Sequence, residues 1–177
     1  MSITRPPRMI ASLEGLEGSG KTRFALTAPG PIRYLDFDYG VEGVEFPSAT
    51  EVTRLPFNLL SEFGVSELEQ ARRVKAEMKR FVSEFVAALG TCRTLVVDTM
   101  SAAWAGQRIA YAEEKYVVME QEFTSMFRAA YACETTNVIL IHHLRQDWAK
   151  NSAGKSYKAQ TWSRDGMDSI ANIVQLA

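Results

Sequence analysis

The chain has 177 residues, 46% of them hydrophobic and 23% charged, with a net charge of −1. That length suits one domain with a substantial core, expected here over residues 1–177, and the near-neutral charge excludes binding of acidic polymers except through a local basic patch. No apolar stretch is long enough to cross a membrane, no leader-like run follows Arg5 to Arg8, and Cys92 and Cys133, lacking metal-type spacing, read as reduced core thiols of a cytoplasmic protein.

Met9 to Leu13 reads as a buried strand running into Gly15-Leu16-Glu17-Gly18-Ser19-Gly20-Lys21-Thr22. This is G-x-x-x-x-G-K-T, a phosphate-binding loop of the Walker A type. Its glycines and Ser19 let the backbone curl so that several N–H groups point at one anion. Lys21 supplies a mobile charge for β- and γ-phosphates, and the Thr22 hydroxyl is a hard oxygen ligand for Mg²⁺. Lys21 to Ala28 can form a short helix whose N-terminus adds partial positive charge there. The order strand, loop, helix predicts ATP and Mg²⁺ as cofactors. Gly15, Glu17, Gly18, Ser19, Gly20, Lys21, Thr22 and Arg23 are the expected nucleotide-binding residues.

Pro29-Gly30-Pro31 ends that helix. Ile32 to Phe37 reads as a second strand, running into Asp38. Glu51 to Phe57 reads as a short edge strand, since Pro56 argues against a central place. Ser66 to Glu69 is a capping box. Leu68, Ala71, Val74, Met78, Phe81, Phe85 and Leu89 then recur at helical spacing, and Gly90 closes the helix. Thr94 to Asp98 is an apolar run ending in an acid, suited to a buried parallel strand. Met100 to Thr136 reads as mostly helical with a break near Val117, and Asn137 to His143 as another buried strand. Leu144 to Asp165 has no clear period and reads as a long loop. Gly166 to Ala171 reads as a turn or two of helix, and Asn172 to Ala177 as a last strand. The alternation predicts an α/β fold of the P-loop NTPase kind, with a mostly parallel central sheet and helices on both faces.

Ligands of such sheets sit at the carboxyl ends of the strands. At one end, Asp98 can hold Mg²⁺ through a water and complete the shell begun by Thr22; an Asp capping the next helix is the plainer alternative. Thr99 follows, where many ATPases carry a catalytic Glu. The carboxylate that orients the attacking water is therefore sought at Asp36 and Asp38, which share a strand face. Asp38, nearer the tip, is the candidate, with Glu14 and Glu17 weaker. His143, at a further strand end, can donate a hydrogen bond to a γ-phosphate and report whether ATP or ADP is bound. Lys21, Asp38, Asp98 and His143 form the expected catalytic set. The stretch after His143 carries Arg145, Lys150, Lys155, Lys158 and Arg164 against Asp147 and Asp165, five cations to two acids, for a net +3. With Trp148, Tyr157 and Trp162 interleaved, it suits single-stranded nucleic acid, charges on phosphates and rings on bases; a solvated loop with locally packed rings is the alternative.

Gly15 to Thr22, Tyr34-Leu35-Asp36-Phe37-Asp38, Leu95 to Thr99 and Ile139 to Arg145 occur in the order seen in RecA-like recombinase cores. The chain most resembles the compact RecA-like ATPases of bacteriophages, including single-strand annealing proteins of the Sak group. That resemblance implies a sensor strand lying between the Walker A and Walker B strands. It implies a catalytic acid after the second strand, at Asp38, and a polar sensor, usually an amide, where His143 stands. It also implies a DNA-contacting segment at Leu144 to Asp165 and a ring or filament with ATP between subunits and cations supplied in trans. The function so implied is a single-stranded-DNA-stimulated ATPase acting in recombination or strand annealing, in the host cytoplasm if phage-encoded. Family members usually continue beyond the position of Ala177, so the expectation is a minimal version or one lacking a C-terminal extension.

Two alternatives stand beside it. The stretch Leu13 to Thr22 also looks like the opening of thymidylate kinases. The Arg-Glu-Pro stretch and the Asp-Arg pair expected of those enzymes are absent, Asp98 being followed by Thr99. The other alternative is a nucleic-acid-binding module that uses ATP to assemble and barely turns it over, which Asp38, one methylene shorter than Glu, would suit.

Overall fold

The computed structural model describes residues 8–39, 41, 43–55, 65–114, 116–152 and 155–166. Their strands are β1 (Ile10–Gly15), β2 (Ile32–Asp36), β3 (Thr50–Arg54), β4 (Thr94–Asp98), β5 (Asn137–Lys150) and β6 (Ser156–Arg164). Their helices are α1 (Lys21–Ala25), α2 (Glu67–Ala88), α3 (Met100–Ala110) and α4 (Tyr116–Ala132). The sheet order is β1-β5-β4-β2-β3, all parallel, and β6 pairs antiparallel with β5. The strand carrying the histidines thus lies between the phosphate-loop strand and the Asp98 strand, the order expected from the sequence.

Burial explains the pattern. Every residue of β4 is buried, as a central parallel strand requires. One face of the sheet carries Leu35, Leu95, Val97, Val138 and Leu140 against α2, α3 and α4, where Phe81 meets Phe37, Phe85 and Phe123 edge-on. The other face carries Ile32, Tyr34, Val96, Ile139 and Ile141 against α1 and the segment holding Val41, Val44 and Phe46. Ser66 caps α2 by accepting from the Glu69 N–H at 3.3 Å, and Gly90, at φ +80°, leaves the helix in a left-handed conformation that favours glycine. Leu68 departs from the expected apolar stripe: in the first turn, ahead of the packed part of α2, it is exposed. Cys92 and Cys133 are free and partly buried; Cys92 packs against the edge of the core, as expected, while Cys133, just past α4, does not belong to it.

The expected long loop after His143 is instead an arm: β5 continues to Lys150 and returns as β6. The arm projects past the helical cover, so neither face is buried and no apolar–polar alternation marks it. A register shift between Gln146 and Trp148 blurs what period remains. The break expected near Val117 falls just before Tyr116. The last expected strand, the 167–171 turn, and Pro56 with Phe57 lie outside the described residues. No described helix is long and apolar enough to cross a membrane.

Candidate nucleotide site and its hairpin arm

β1 delivers Gly15 to the start of the phosphate loop, and α1 begins at Lys21. Gly18 and Gly20 have φ of +74° and +86°, which any side chain would strain. A Cβ on Gly15 would come within 2.7 Å of Ser19 Oγ, so the cradle has no room for one. Lys21 Nζ donates to the carbonyls of Gly15 at 2.9 Å and Leu16 at 2.7 Å and lies 3.5 Å from Ser19 Oγ. The ammonium is folded over the loop, on acceptors that a phosphate oxygen can replace. Glu17 and Arg23 are exposed at the rim.

Thr22 Oγ1 donates to Asp98 Oδ2 at 2.7 Å, across from the loop to the end of β4. The buried Tyr34 hydroxyl donates to the same oxygen. Burial raises the Asp98 pKa, against the pull of these two donors, and raises that of Tyr34, with Asp98 adding to it. The hydroxyl–carboxylate pair suits Mg²⁺, which takes hard oxygens and few protein ligands beside phosphates. No group of three or more His, Cys, Asp or Glu side chains that could hold a metal ion exists among the described residues. Asp36 pairs in register with Asp98. It is 1% exposed, neither of its oxygens has a hydrogen-bond partner among the described residues, and its pKa is pushed up to about 6 by burial first, then by Asp38 and Asp98.

Asp38 lies just past β2, partly exposed, with Oδ2 3.4 Å from His143 Nε2. The candidate water-orienting acid and the candidate sensor thus meet directly. The two histidines take opposite sides of β5. His142 is fully buried, without a hydrogen-bond partner on either ring nitrogen among the described residues, and burial, then Arg164, lowers its pKa to about 3. A Cβ on Gly166 would stand 3.1 Å from its Nδ1. His143 donates its backbone N–H to Ser101 Oγ at 3.0 Å, and Ser101 Oγ donates to the Asp165 carbonyl. Asp165 N–H returns to the His143 carbonyl at 2.9 Å, so the arm's base is clamped to the start of α3.

The arm itself sorts by register. Trp148 stands opposite Lys158, Trp162 opposite Gln146, and Lys150 opposite Ser156. Paired residues share a face, as do residues two apart on β5, so both tryptophans, Lys150 and Lys158 lie on one face. Trp148 is 67% exposed and Trp162 47%. Tyr157, opposite Ala149, is exposed on the other face, and Lys155 is exposed at the turn. Arg145 reaches Asp165 at 3.7 Å. Arg164, expected with the arm's basic surface, turns inward instead: its side chain is 13% exposed and pairs with Glu14 at 3.1 Å, next to the phosphate loop. The geometric partners that the sequence reading left out are Tyr34, Ser101 and the Glu14–Arg164 pair. Tyr34 left a trace, a phenol in an otherwise apolar strand, whose hydroxyl needs a partner when buried. Ser101 and the ion pair join residues far apart in sequence and left none.

This strand order and this loop define a P-loop NTPase domain. A protein-family model described as an AAA domain matches residues 8–176, and the chain belongs to that family of nucleotide-binding ATPases. Members generally hydrolyse ATP, usually with Mg²⁺. No curated protein matches the sequence.

Proposed function

We propose that the chain is a RecA-like ATPase of the bacteriophage type, which binds single-stranded DNA through the β5–β6 arm and couples that binding to ATP hydrolysis in recombination or strand annealing. The observation that carries this reading is the continuity of β5: it runs unbroken from His143, beside Asp38, into the arm. The loop amides and Lys21 would hold the β- and γ-phosphates, and Thr22 and Asp98 would hold Mg²⁺, which when bound would polarise the phosphate oxygens. Asp38 orients the attacking water and takes its proton as oxygen bonds to the γ-phosphorus. The bond to the β-phosphate oxygen breaks, leaving ADP and phosphate. His143 loses its Asp38 contact when it turns to the γ-phosphate, and the shift passes along β5. On the arm, Lys150 and Lys158 meet phosphates while Trp148 and Trp162 stack on bases. A ring or filament with nucleotide between subunits completes the proposal.

The test is fluorescence anisotropy with labelled oligo-dT over a salt series, with ATP and with ADP, beside an ATPase assay with and without the oligonucleotide. Tighter binding with ATP and stimulated turnover are expected, and His143→Ala should erase the ATP–ADP difference. No binding at low salt by a folded, ATP-competent protein would reject the DNA reading. A parallel assay of thymidine monophosphate phosphorylation would then test the nucleotide-kinase reading.

A further inference from the structure

We propose that Tyr34 is a positioning residue for the metal: its buried hydroxyl fixes the Asp98 carboxylate in the one orientation in which it completes the Mg²⁺ shell with Thr22. The inference rests on the ATP·Mg²⁺ reading of this site and goes beyond it. Tyr34 is fully buried in β2, with its ring edge-on to Phe46 at 5.6 Å between centroids. That packing leaves the phenol little freedom. Its hydroxyl and Thr22 Oγ1 both donate to Oδ2 of Asp98. Two donors on one oxygen fix the carboxylate plane and leave Oδ1 as the oxygen not engaged by them. Thr22 has a second duty, because its hydroxyl oxygen is the expected metal ligand, its lone pairs facing the metal while its O–H donates to Asp98. Tyr34 has none, so its hydroxyl serves the carboxylate alone.

A second carboxylate makes this anchoring necessary. Asp36 stands in register beside Asp98, buried and without a hydrogen-bond partner among the described residues. Two adjacent buried acids repel, and without the phenol Asp98 would be held by the Thr22 hydroxyl alone. Phe at position 34 would keep the ring and its packing and remove only the hydroxyl.

The test compares the wild-type chain with Tyr34→Phe, measuring the affinity of a fluorescent ATP analogue in EDTA and over a Mg²⁺ series. The readout is the ratio of affinities with and without Mg²⁺. Removal of a group that orients a metal ligand typically costs about 10–100-fold in metal affinity, so this ratio should fall about tenfold or more. In an Asp98→Asn background the further change Tyr34→Phe should have no effect on the ratio, because the phenol acts through that carboxylate. A Tyr34→Phe protein that retains the full Mg²⁺ gain would overturn the inference. A wild-type chain with no Mg²⁺ gain would instead overturn the site reading beneath it. If Tyr34→Phe does not fold, 3-fluorotyrosine placed at position 34 decides. Its fluorine resonance in the ATP- and Mg²⁺-bound protein should move on Asp98→Asn, and a resonance indifferent to that change would reject the role.

Discussion

From Asn137 to His142 every residue of β5 is buried between parallel neighbours; from Leu144 to Lys150 the same strand is partly or fully exposed, with one antiparallel partner, and His143, half-exposed and opposite Gly15 of β1, is the junction. The first half is held by packing on both faces, the second by main-chain pairing and by contacts at its base. The changeover falls at the candidate sensor. A strand that is rigid where nucleotide is bound and free where it meets solvent can carry a small displacement outward without disturbing the core. The exposed half is also where an unprotected edge would invite aggregation, and Lys155 and Lys158 on or beside β6 oppose that.

The comparison breaks most visibly at the nucleotide end. Lys21→Ala should abolish tight ATP binding, a loss of about 10³-fold or more, while the melting temperature in the absence of nucleotide stays within a few degrees. The Lys21 ammonium is hydrogen-bonded to the loop's own carbonyls and to Ser19. Calorimetric titration with ATP and a thermal melt check both halves, and unchanged affinity would sink the site. Next in size is Asp38→Asn, which should keep ATP binding and lower kcat by about 10²-fold, the usual scale for a general base. If this variant hydrolyses normally, the base is elsewhere, and Asp36 and Glu14 come next.

The elements held by burial were legible in the sequence. β4 was readable from five apolar-to-acid residues and α2 from its stripe and cap, because packing imposes a period. Gly15 to Thr22 was legible because the chemistry of a phosphate cradle demands glycines and a lysine at fixed spacing. The arm was not, since a hairpin without a buried face has no reason to alternate. Arg164 shows the same limit for the site. It has the charge of a phosphate ligand, and only the fold reveals that Glu14 neutralises it.

His142 sharpens the contrast from the buried side. Its folded pKa of about 3 lies below the ordinary 6.5, so the unfolded chain binds a proton that the folded chain refuses. Its contribution is therefore fully present above pH 6.5 and is lost as pH falls toward 3. Between pH 6.5 and 5 that loss is about 2 kcal/mol. Asp36 has the opposite sign: raised from 3.8 to about 6, it favours the folded state as pH falls through 6. The two partly cancel in the wild type. The stability difference between wild type and His142→Gln isolates the histidine, and it should shrink in favour of the variant on acidification. Urea titrations at pH 7, 6 and 5 measure it; a pH-independent difference would mean that His142 binds its proton equally in the folded and the unfolded chain.

The exposed half should respond through binding and not through stability. Trp148→Ala or Trp162→Ala should weaken oligo-dT binding by about 1–3 kcal/mol, the range for one stacked base. The salt slope should not change, because stacking releases no counterions. Equal affinity in both variants would leave the aromatic face without a role in DNA binding.

The smallest effect, and the one that separates charge from stacking most cleanly, is the joint change Lys150→Ala and Lys158→Ala. Both side chains lie on the tryptophan face, and neither is tied to a neighbouring acid in the way that Arg145 and Arg164 are. Each lysine engaged with a phosphate of a single strand contributes about 0.7 to the slope of log K against log salt. The double variant should therefore have a slope shallower by about 1.4, and its deficit in affinity should fade as salt rises, where a tryptophan variant keeps its deficit throughout. Anisotropy from low to moderate salt gives both slopes. If the lysine variant instead keeps the wild-type slope, the phosphates run along the other face of the arm, past Tyr157 and Arg145, and the tryptophan face does not track the strand.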